Sequence, residues 1–547
     1  MTCQFRFQKR LTALLLSVVL CLSLSGCAKD GEGVSLSVSV GAKPGTLDPA
    51  YAEELSDQTI LAHLYENLMR VTVDASGRTT VIGGMAKSVD EEEETAEGGV
   101  NVIYTFRLRS AKWSDGRAVK ASDFVYAWRR LANPATNSPF ADMLSMVAGY
   151  REARASGNME QLQVSAKNDS TFQVVVRGHH DWFLKEVCTS PATMPLREDV
   201  IQRLKSAAPA GGSWWTEITA LTVNGPYLPA SQEKGVSMTL TPNSHYYDNQ
   251  PGPREITFRF VDTPEKAQEL YNAKTVDAVW PCEEGQASSG SLPELGTCVA
   301  VFNCAGEPFA EDLLRQALSL AADRNALAET AGGTAAEGLV PPGVPEDETA
   351  DFRTAGGPLM DNDLEGYEER CQQARALLNE AGYDTGSNVG ELEYLYARGT
   401  ENEAVAQALC QQWKDVLHLE ITPKALSQQD LMSALRKGEF TLAGLDVSAA
   451  ANDAESFLMA WTSGSQDNVA GYKNSAYDTL LNVVAGSGDA KARMGCLHDA
   501  EALLMMDYVL IPLYTRTTAW TLRDHLTGAF RDPRGWFSFS NVTVRTA

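Results

Sequence analysis

The hydrophobic pattern of this 547-residue chain changes near residue 308, and that change constrains its architecture more than any other feature. Upstream, Val34, Leu36, Val38 and Val40 alternate with small polar residues, the period of a half-buried strand. The same reasoning predicts further strands at 104–108, 172–176, 237–241 and 256–260. A helix is predicted over Ile60 to Met69.

Downstream of residue 308 the apolar residues follow a helical period. One helix face is predicted from Leu313, Ala317, Leu320 and Leu327. Further helices are predicted at 374–381, ended by Gly382 as a C-cap, and at 405–416. Strands are predicted between them at 393–396, 419–422, 441–445 and 509–514. Alternating helices and strands predict an α/β lobe with a mostly parallel sheet.

Two upstream segments carry more local expectations. Ser122 or Asp123 is expected to cap the helix that begins at Phe124, because both side chains accept hydrogen bonds from helix N-termini. The acidic run from Asp90 to Glu94 is expected to be a solvated loop.

The N-terminal residues indicate the compartment. Arg6, Lys9 and Arg10 precede an uncharged run from Leu11 to Leu24, which is long enough for a signal peptide and too short to span a bilayer. The following Leu-Ser-Gly-Cys resembles a bacterial lipobox, which predicts a signal peptide over 1–26, lipidation of Cys27 and a lipidated tether over 27–33. The alternative is a plain signal peptide with an incidental cysteine. No later run approaches 18 apolar residues, so the lipid would be the only membrane attachment.

Charge and cysteine content exclude several classes of protein. The chain carries 46 Lys and Arg against 71 Asp and Glu, a balance that repels phosphate backbones and excludes a nucleic-acid partner. Seven cysteines follow Cys27, and no C-x-x-C is present to suggest a zinc ribbon or a redox motif. A bridge between Cys282 and Cys298, which flank a Gly/Ser-rich loop, and several free buried thiols are equally expected.

Motifs for catalysis are absent from the sequence. There is no phosphate-binding P-loop, no H-E-x-x-H and no G-x-S-x-G. The S-x-x-K of Ser231 to Lys234 has no Lys-Thr-Gly beside it and is a chance match. The pair His179-His180 lacks partners at ligand spacing and is expected to lie on the surface. We therefore expect neither an enzyme, nor a metal site, nor a cofactor.

The distinctive stretches occur in the order shown by one family. They are Thr46-Leu47-Asp48-Pro49, Leu64-Tyr65-Glu66-Asn67-Leu68, Tyr104 to Arg109, Trp113-Ser114-Asp115-Gly116, Ala121 to Arg130, Asn224-Gly225-Pro226-Tyr227, Phe302-Asn303, Arg315 to Ser319 and Ala374 to Tyr383. Together they resemble bacterial extracellular solute-binding protein family 5, the lipoproteins that serve oligopeptide and dipeptide ABC importers.

The resemblance implies an α/β, periplasmic-binding-protein-like fold of two lobes with two interlobe crossovers. Lobe I would hold 34–300, with an inserted subdomain at about 65–190, and the C-terminal return 508–547; lobe II would hold 301–507. A monomer would close on a peptide or other small solute and deliver it to a permease and an ATPase. A non-peptide ligand and a surface sensor or adhesin remain alternatives. Seven His disfavour nickel, while ten Trp would suit an oligosaccharide.

One departure affects the expected site. Family members carry an Asp in lobe II that pairs with the α-amine of the peptide, and counting back from Phe457-Leu458 places Ala450 at that position. Either Asp446 or Asp453 substitutes from a shifted loop, or the ligand lacks a free amine, or peptide binding has been lost, or the register differs by a few residues.

The candidate ligand-binding residues lie in three stretches of the sequence. They are Thr46, Leu47, Asn224, Gly225, Tyr227, Asp446, Ala450, Asn452 and Asp453. Trp113, Tyr126 and Trp128 are expected to pack within the lobe, and Asp48 and Asn67 to fix turns and caps.

Overall fold

The computed structural model describes residues 33–73, 79–96, 99–180, 182–209, 212–248, 252–261, 263–282, 290–347, 349–383, 389–449, 451–487 and 489–545. The predicted signal peptide, Cys27 and most of the tether lie outside these residues, as does Ala450. Within the described residues, no helix is long and apolar enough to cross a membrane.

One mixed sheet of eleven strands forms the framework of the molecule. Its strands are β1 Ser35–Ser39, β8 Tyr227–Glu233, β9 Ser237–Pro242, β10 Glu255–Arg259, β11 Ala278–Cys282, β12 Gly290–Phe302, β13 Thr334–Ala335, β14 Leu392–Ala397, β15 Ile421–Leu426, β16 Leu442–Ser448 and β17 Leu510–Leu522. Their order is β15-β14-β16-β12-β17-β11-β1-β10-β9-β8, with β13 beside β17. The long antiparallel pair β12 and β17 lies at the centre, so these strands join the two halves of the sheet.

The remaining strands form smaller sheets. A four-stranded sheet has the order β4-β5-β7-β6, and three two-stranded ribbons pair β2 with β3, β18 with β21 and β19 with β20. These strands are β2 Met69–Val73, β3 Thr79–Gly83, β4 Ala86–Ala96, β5 Gly99–Leu108, β6 Val164–Asn168, β7 Thr171–Arg177, β18 Leu526–Thr527, β19 Phe530–Arg531, β20 Phe537–Ser538 and β21 Thr543–Val544.

Helices cover the sheets, and most of them lie downstream of residue 308. They are α1 Leu55–Leu64, α2 Ala121–Ala132, α3 Tyr150–Ser156, α4 Glu198–Ala207, α5 Pro264–Asn272, α6 Asp312–Leu320, α7 Arg324–Ala331, α8 Phe352–Gly356, α9 Tyr367–Glu380, α10 Thr400–Leu417, α11 Gln428–Lys437, α12 Ala454–Leu458, α13 Ser475–Gly486 and α14 Ala490–Met506. The α/β fold with two lobes is confirmed.

The hydrophobic core is divided between the lobes. One large cluster contains side chains from Leu36 to Phe260 together with the C-terminal Phe537, Phe539 and Val542. Two further clusters lie between Cys298 and Tyr514 and pack around the other half of the sheet. Trp113 and the α2 residue Trp128 belong to the first cluster and are fully buried, and Tyr126 packs against it, as expected.

Two predicted helices have different bounds from those expected. The helix expected at 60–69 ends at Leu64, because the Asn224 side chain accepts from the Glu66 N–H (3.1 Å) and donates to the Glu66 carbonyl (2.9 Å), which replaces helical bonding. The single face expected from Leu313 to Leu327 belongs to two helices, because Asp323 accepts from the Ala326 N–H (3.1 Å) and starts a new helix.

Local interactions explain two further corrections. Asp123 occupies the third position of α2 rather than its cap, and it accepts from the Lys120 N–H (2.9 Å) and the Trp113 indole (3.0 Å). The acidic run expected as a loop lies in β4, an edge strand whose Glu side chains are exposed. Edge strands tolerate such charge because it discourages pairing with other chains.

Two expectations about the whole sheet and the cysteines also need correction. The sheet is mixed rather than mostly parallel, because β12 pairs antiparallel with both β16 and β17. No disulfide joins any two of the seven cysteines that the structure describes, so the bridge considered between Cys282 and Cys298 is wrong.

Candidate functional site

A cavity of about 490 Å³ lies between the two lobes and is the candidate binding cleft. Its volume falls in the range of small-molecule and short-peptide sites. Lobe I lines it with residues near the start of α1, with Phe140 and Met143, and with Ser190 to Ala192. The opposite wall consists of Glu294 to Cys298 on β12 and of Asp446, Ser448 and Ala449 at the end of β16.

The C-terminal return adds three arginines to the cleft: Arg516, Arg531 and Arg534. Arg516 is paired twice, with Glu401 (2.7 Å) and with Asp446 (3.3 Å). Arg534 donates to the buried Asp532 at 2.7 and 2.9 Å. Both therefore have protein carboxylates as partners.

Arg531 differs from these two arginines. The residue is 8% exposed, and its Nε and Nη1 atoms are buried without a hydrogen-bond partner among the described residues. Burial lowers the pKa of Arg531, although nearby Glu294 and Asp532 oppose that effect. An unpaired buried cation is unfavourable unless an anion reaches it.

Asp446 points into the cleft but already has partners. Its Oδ1 accepts from the Cys298 thiol (2.7 Å) and lies 3.3 Å from Nη1 of Arg516. Burial and the Asp446 charge raise the pKa of the Cys298 thiol well above its usual range, so the thiol is the donor.

Asp453 is part of a buried ion-pair cluster in lobe II. Nη2 of Arg493, which is 1% exposed, donates to Asp453 (2.6 Å) and to Glu455 (2.8 Å). Asp453 also caps α12 by accepting from the Glu455 N–H (2.9 Å). The Asp453 carboxylate is thus neutralised within the protein.

Side chains from lobe I reach this cluster across the interface. The Trp182 indole donates to Glu455 (2.9 Å), and Nδ1 of His180 lies 3.7 Å from the same carboxylate. Burial alone would raise the pKa of Glu455, but His180 and Arg493 together lower it to about 2. The expectation that His179 and His180 form a surface pair is wrong for His180, whose side chain is 9% exposed. No potential metal cluster exists among the described residues.

A second interlobe contact involves Glu186. Its Oε2 lies 3.5 Å from Nη1 of Arg534, and the backbone of Asn452, across the interface, lies close enough to lower the pKa of the carboxyl. Burial raises the pKa of Glu186 to about 7, against the opposing charge of Arg534. The Asn452 side chain donates to the Gly343 carbonyl at 3.3 Å.

The Thr46 and Leu47 candidates lie in a buried turn of lobe I. Leu47 is 1% exposed, and the Thr46 hydroxyl accepts from the Asp48 N–H (2.9 Å). Asp48 caps the next turn, pairs with Arg130 and accepts from the Trp214 indole (2.8 Å). Asp48 thus fixes a turn, as expected.

The Asn224-Gly225-Pro226-Tyr227 motif is remote from the interlobe cleft. A Cβ on Gly225 would lie 2.5 Å from the Leu64 carbonyl carbon, so a backbone crossing requires glycine there. Pro226 and Tyr227 border a larger cavity of about 680 Å³ inside lobe I. The structure therefore brings only Asp446 of the described candidates to the interlobe cavity lining, with Asn452 and Asp453 beside it.

The C-terminal arginines were missed by sequence reasoning. Arg531, Asp532 and Arg534 lie in a tail notable for Trp and Phe, and nothing local indicates that its charges face a cleft. A usable signal is the clustering of three charges around Pro533 and Gly535, since such turns expose side chains to neighbouring elements.

A model of bacterial extracellular solute-binding proteins (family 5, middle region) matches residues 80–469. One curated relative, the probable deoxycholate-binding periplasmic protein YgiS of Escherichia coli, is 30% identical over 501 residues, covering 89% of this chain and 88% of the relative. The periplasmic murein peptide-binding protein MppA of Escherichia coli is 28% identical, covering 94% of each chain.

A solved structure of Haemophilus influenzae OppA in complex with the peptide RPPGFSPFR superposes with a TM-score of 0.72. It is 26% identical, and the match covers 94% of this chain and 99% of that one.

Proposed function

This chain belongs to the bacterial extracellular solute-binding proteins of family 5, and we propose that it captures peptides in its interlobe cleft and delivers them to an ABC importer. The observation that supports this most directly is the cavity between the lobes, bordered by β12 and the end of β16. Exposed strand segments let a peptide add backbone hydrogen bonds, which depend little on its sequence.

Relatives support a peptide as the cargo. MppA is named as a murein peptide-binding protein, and the OppA structure holds a nonapeptide. Because the sequence contains no P-loop, the energy for transport would come from a partner ATPase acting with a permease. The chain would act by binding and not by catalysis, as a monomer.

Domain closure would provide the affinity. Micromolar capture needs about −8 kcal/mol, and the hydrogen bond from the Trp182 indole to Glu455 already joins the two lobes. We infer that lobe I comprises 34–300 and 508–547 and lobe II 301–507, which agrees with the division of the hydrophobic clusters.

A second candidate is a non-peptide ligand. The 30% identical relative is named as a probable deoxycholate-binding protein, and deoxycholate is an amphipathic acid without an amine. Oligosaccharide or metal-complex binding, and sensing without transport, stay further alternatives that rest on the fold alone.

We further propose that the protein is held on the extracytoplasmic face of the membrane by a lipid on Cys27. The Leu-Ser-Gly-Cys sequence supports this proposal. Cells expressing the full chain and fed labelled palmitate should incorporate label, and Cys27→Ala should lose it and release the protein from the membrane fraction. Label retained by the variant would contradict the proposed lipidation.

The test of peptide binding is native mass spectrometry of the chain from residue 28, purified gently from a peptide-rich cytoplasm. Bound masses spaced by amino-acid residues would support peptide cargo. An unliganded protein that also takes up nothing from a mixed peptide library would overturn the peptide assignment.

A further inference from the structure

The polar groups of the cleft indicate which end of a ligand the protein holds, an inference that rests on the proposed binding function. Ligand charge can be held only by groups that the protein leaves uncompensated. The charged side chains that line or adjoin the cavity differ in whether the protein itself supplies their partners.

Most carboxylates near the cleft are already engaged. Asp446 is paired with Arg516, and Asp453 and Glu455 share Arg493. Glu294 accepts from the Thr518 hydroxyl at 2.7 Å. Two cavity-lining carboxylates, Glu53 and Asp446, are exposed to solvent, where a charge pair contributes little.

Among the three cavity-lining arginines, one differs from the other two. Arg516 and Arg534 have carboxylate partners, whereas the buried Arg531 has none within hydrogen-bonding distance among the described residues, and two of its nitrogens lack any acceptor. Arg531 is placed in the ribbon of β19 and β20, which fixes its backbone by pairing with Phe537.

We propose that Arg531 binds a carboxylate of the ligand and that this contact, rather than one to a free amine, orients the ligand in the cleft. A guanidinium presents a planar fork that matches a carboxylate with two parallel hydrogen bonds. The carboxylate comes from the C-terminus of a peptide or from an amphipathic organic acid.

The walls of the cavity suit the rest of such a ligand. Leu55, Phe140, Met143, Pro191 and Leu295 line it with apolar surface. A ligand with one acidic end and an apolar body would bury that body here while its acid reaches Arg531. A positively charged end would meet the Glu53 and Asp446 carboxylates, both exposed to solvent, and the Glu294 carboxylate, which accepts from the Thr518 hydroxyl.

The experiment compares three matched tripeptide libraries, with free termini, with acetylated N-termini and with amidated C-termini, by native mass spectrometry and calorimetry. We expect acetylation to leave affinity within a few-fold and amidation to weaken it about thirty-fold or more, as for loss of a buried charged partner. Weakening by acetylation with no effect of amidation would overturn the inference and leave peptide binding standing.

Deoxycholate is the second probe and separates the two sources of carboxylate. If no peptide library binds but deoxycholate does, the proposed peptide function fails. The role of Arg531 is then decided by Arg531→Gln, which should weaken the binding of deoxycholate about thirty-fold or more. If neither class binds, both proposals fail.

Variants test the residue itself. Arg531→Gln should abolish the preference for a free carboxylate, while Arg531→Lys, which keeps the charge without the fork, should retain part of it. Arg107→Gln is the matched control, because Arg107 is 65% exposed on β5, and it should leave binding unchanged. Should Arg531→Gln fail to fold, the ligand comparison on the unaltered protein still decides the question.

Discussion

At the scale of single residues, buried charged side chains lie at the contact between the lobes. They make the stability of the protein sensitive to substitution and to pH. Arg493, which is 1% exposed, is paired with Asp453 and with Glu455. Glu455 also accepts a hydrogen bond from the Trp182 indole of the other lobe. Removing one member of such a group leaves uncompensated charge in a medium that solvates it poorly. The same reasoning makes Arg531 notable, because its buried Nε and Nη1 atoms have no hydrogen-bond partner among the described residues.

Replacing Arg493 with Met should lower the free energy of unfolding by about 3–5 kcal/mol, because two buried carboxylates lose their cation. Urea denaturation followed by circular dichroism measures this loss. Arg107→Met is the control, since its pair with Asp90 is exposed and a loss of about 1 kcal/mol or less is expected. Equal losses in the two variants would contradict the view that the Arg493 cluster is structurally important.

Glu186 makes stability depend on pH. Its pKa is about 7 in the folded protein and 4.5 when unperturbed, so between these values the folded state binds more protons than the unfolded state. Stability contributed by the protonated form is therefore present below about pH 4.5 and is lost as pH rises through 7. Arg534, Asp532, Asp453 and the Asn452 N–H are the groups that act on this carboxyl.

Glu186→Gln removes that titration. Unfolding free energies measured in urea at pH 5 and pH 8 should fall less in the variant than in the unaltered protein. Asp90→Asn, at an exposed strand position, is the control and should keep the original slope. Identical slopes for Glu186→Gln and the unaltered protein would show that Glu186 does not titrate as described.

At the scale of elements, close approaches between segments decide where helices and strands end. The crossing of Gly225 over the end of α1 allows Asn224 to bond to the Glu66 backbone, which stops the helix at Leu64. The sequence pattern favours a longer helix because it contains no sign of a segment 158 residues away.

Gly225→Ala should destabilise the protein by about 1–3 kcal/mol, because the added Cβ would lie 2.5 Å from a backbone atom and force the segments apart. Thermal and urea denaturation measure the change. Gly464→Ala is the matched control: no atom lies within 4 Å of its added Cβ, and a change within about 0.5 kcal/mol is expected. A Gly225 variant as stable as the control would mean that the crossing relaxes freely.

At the scale of the whole molecule, β12 and β17 connect the lobes and side-chain contacts hold them together. Trp182 packs with the lobe I cluster, while Glu455 lies in α12 beside side chains of a lobe II cluster. Their hydrogen bond therefore helps to hold the two lobes together. Under the proposed capture by domain closure, ligand affinity would depend on how strongly the lobes are held together.

Trp182→Phe removes the indole donor and keeps an aromatic ring. We expect ligand affinity to fall about two- to tenfold, as for the loss of one hydrogen bond, and the unliganded protein to show a larger radius of gyration by small-angle X-ray scattering. Trp215→Phe, also in lobe I, should change neither quantity. An unaltered affinity in the Trp182 variant would indicate that this bond does not contribute to closure.

Much of the fold followed from local patterns. Period-two alternation located strands such as β1 and β10, helical periodicity located α9 and α10, and motifs in a fixed order indicated a two-lobed binding protein. These features are readable because side-chain periodicity reflects burial on one face of an element. One error occurred where a distant segment overrode the pattern, at the end of α1, and another in β4, where pairing with the next strand, β5, holds a charged run in a sheet.

Which residues are candidates for ligand binding could be judged only from the tertiary structure. Counting back from Phe457-Leu458 predicts Ala450 at the usual amine-anchoring position, but the sequence does not show that Asp453 is paired with Arg493 or that Asp446 is paired with Arg516. Nor could it place Arg531 beside β12, more than 200 residues away along the chain. Composition and periodicity determine which helices and strands form, because the formation of a helix or strand depends largely on residues that are neighbours in sequence. Which charges are compensated depends on how the lobes pack, and only the folded chain decides that.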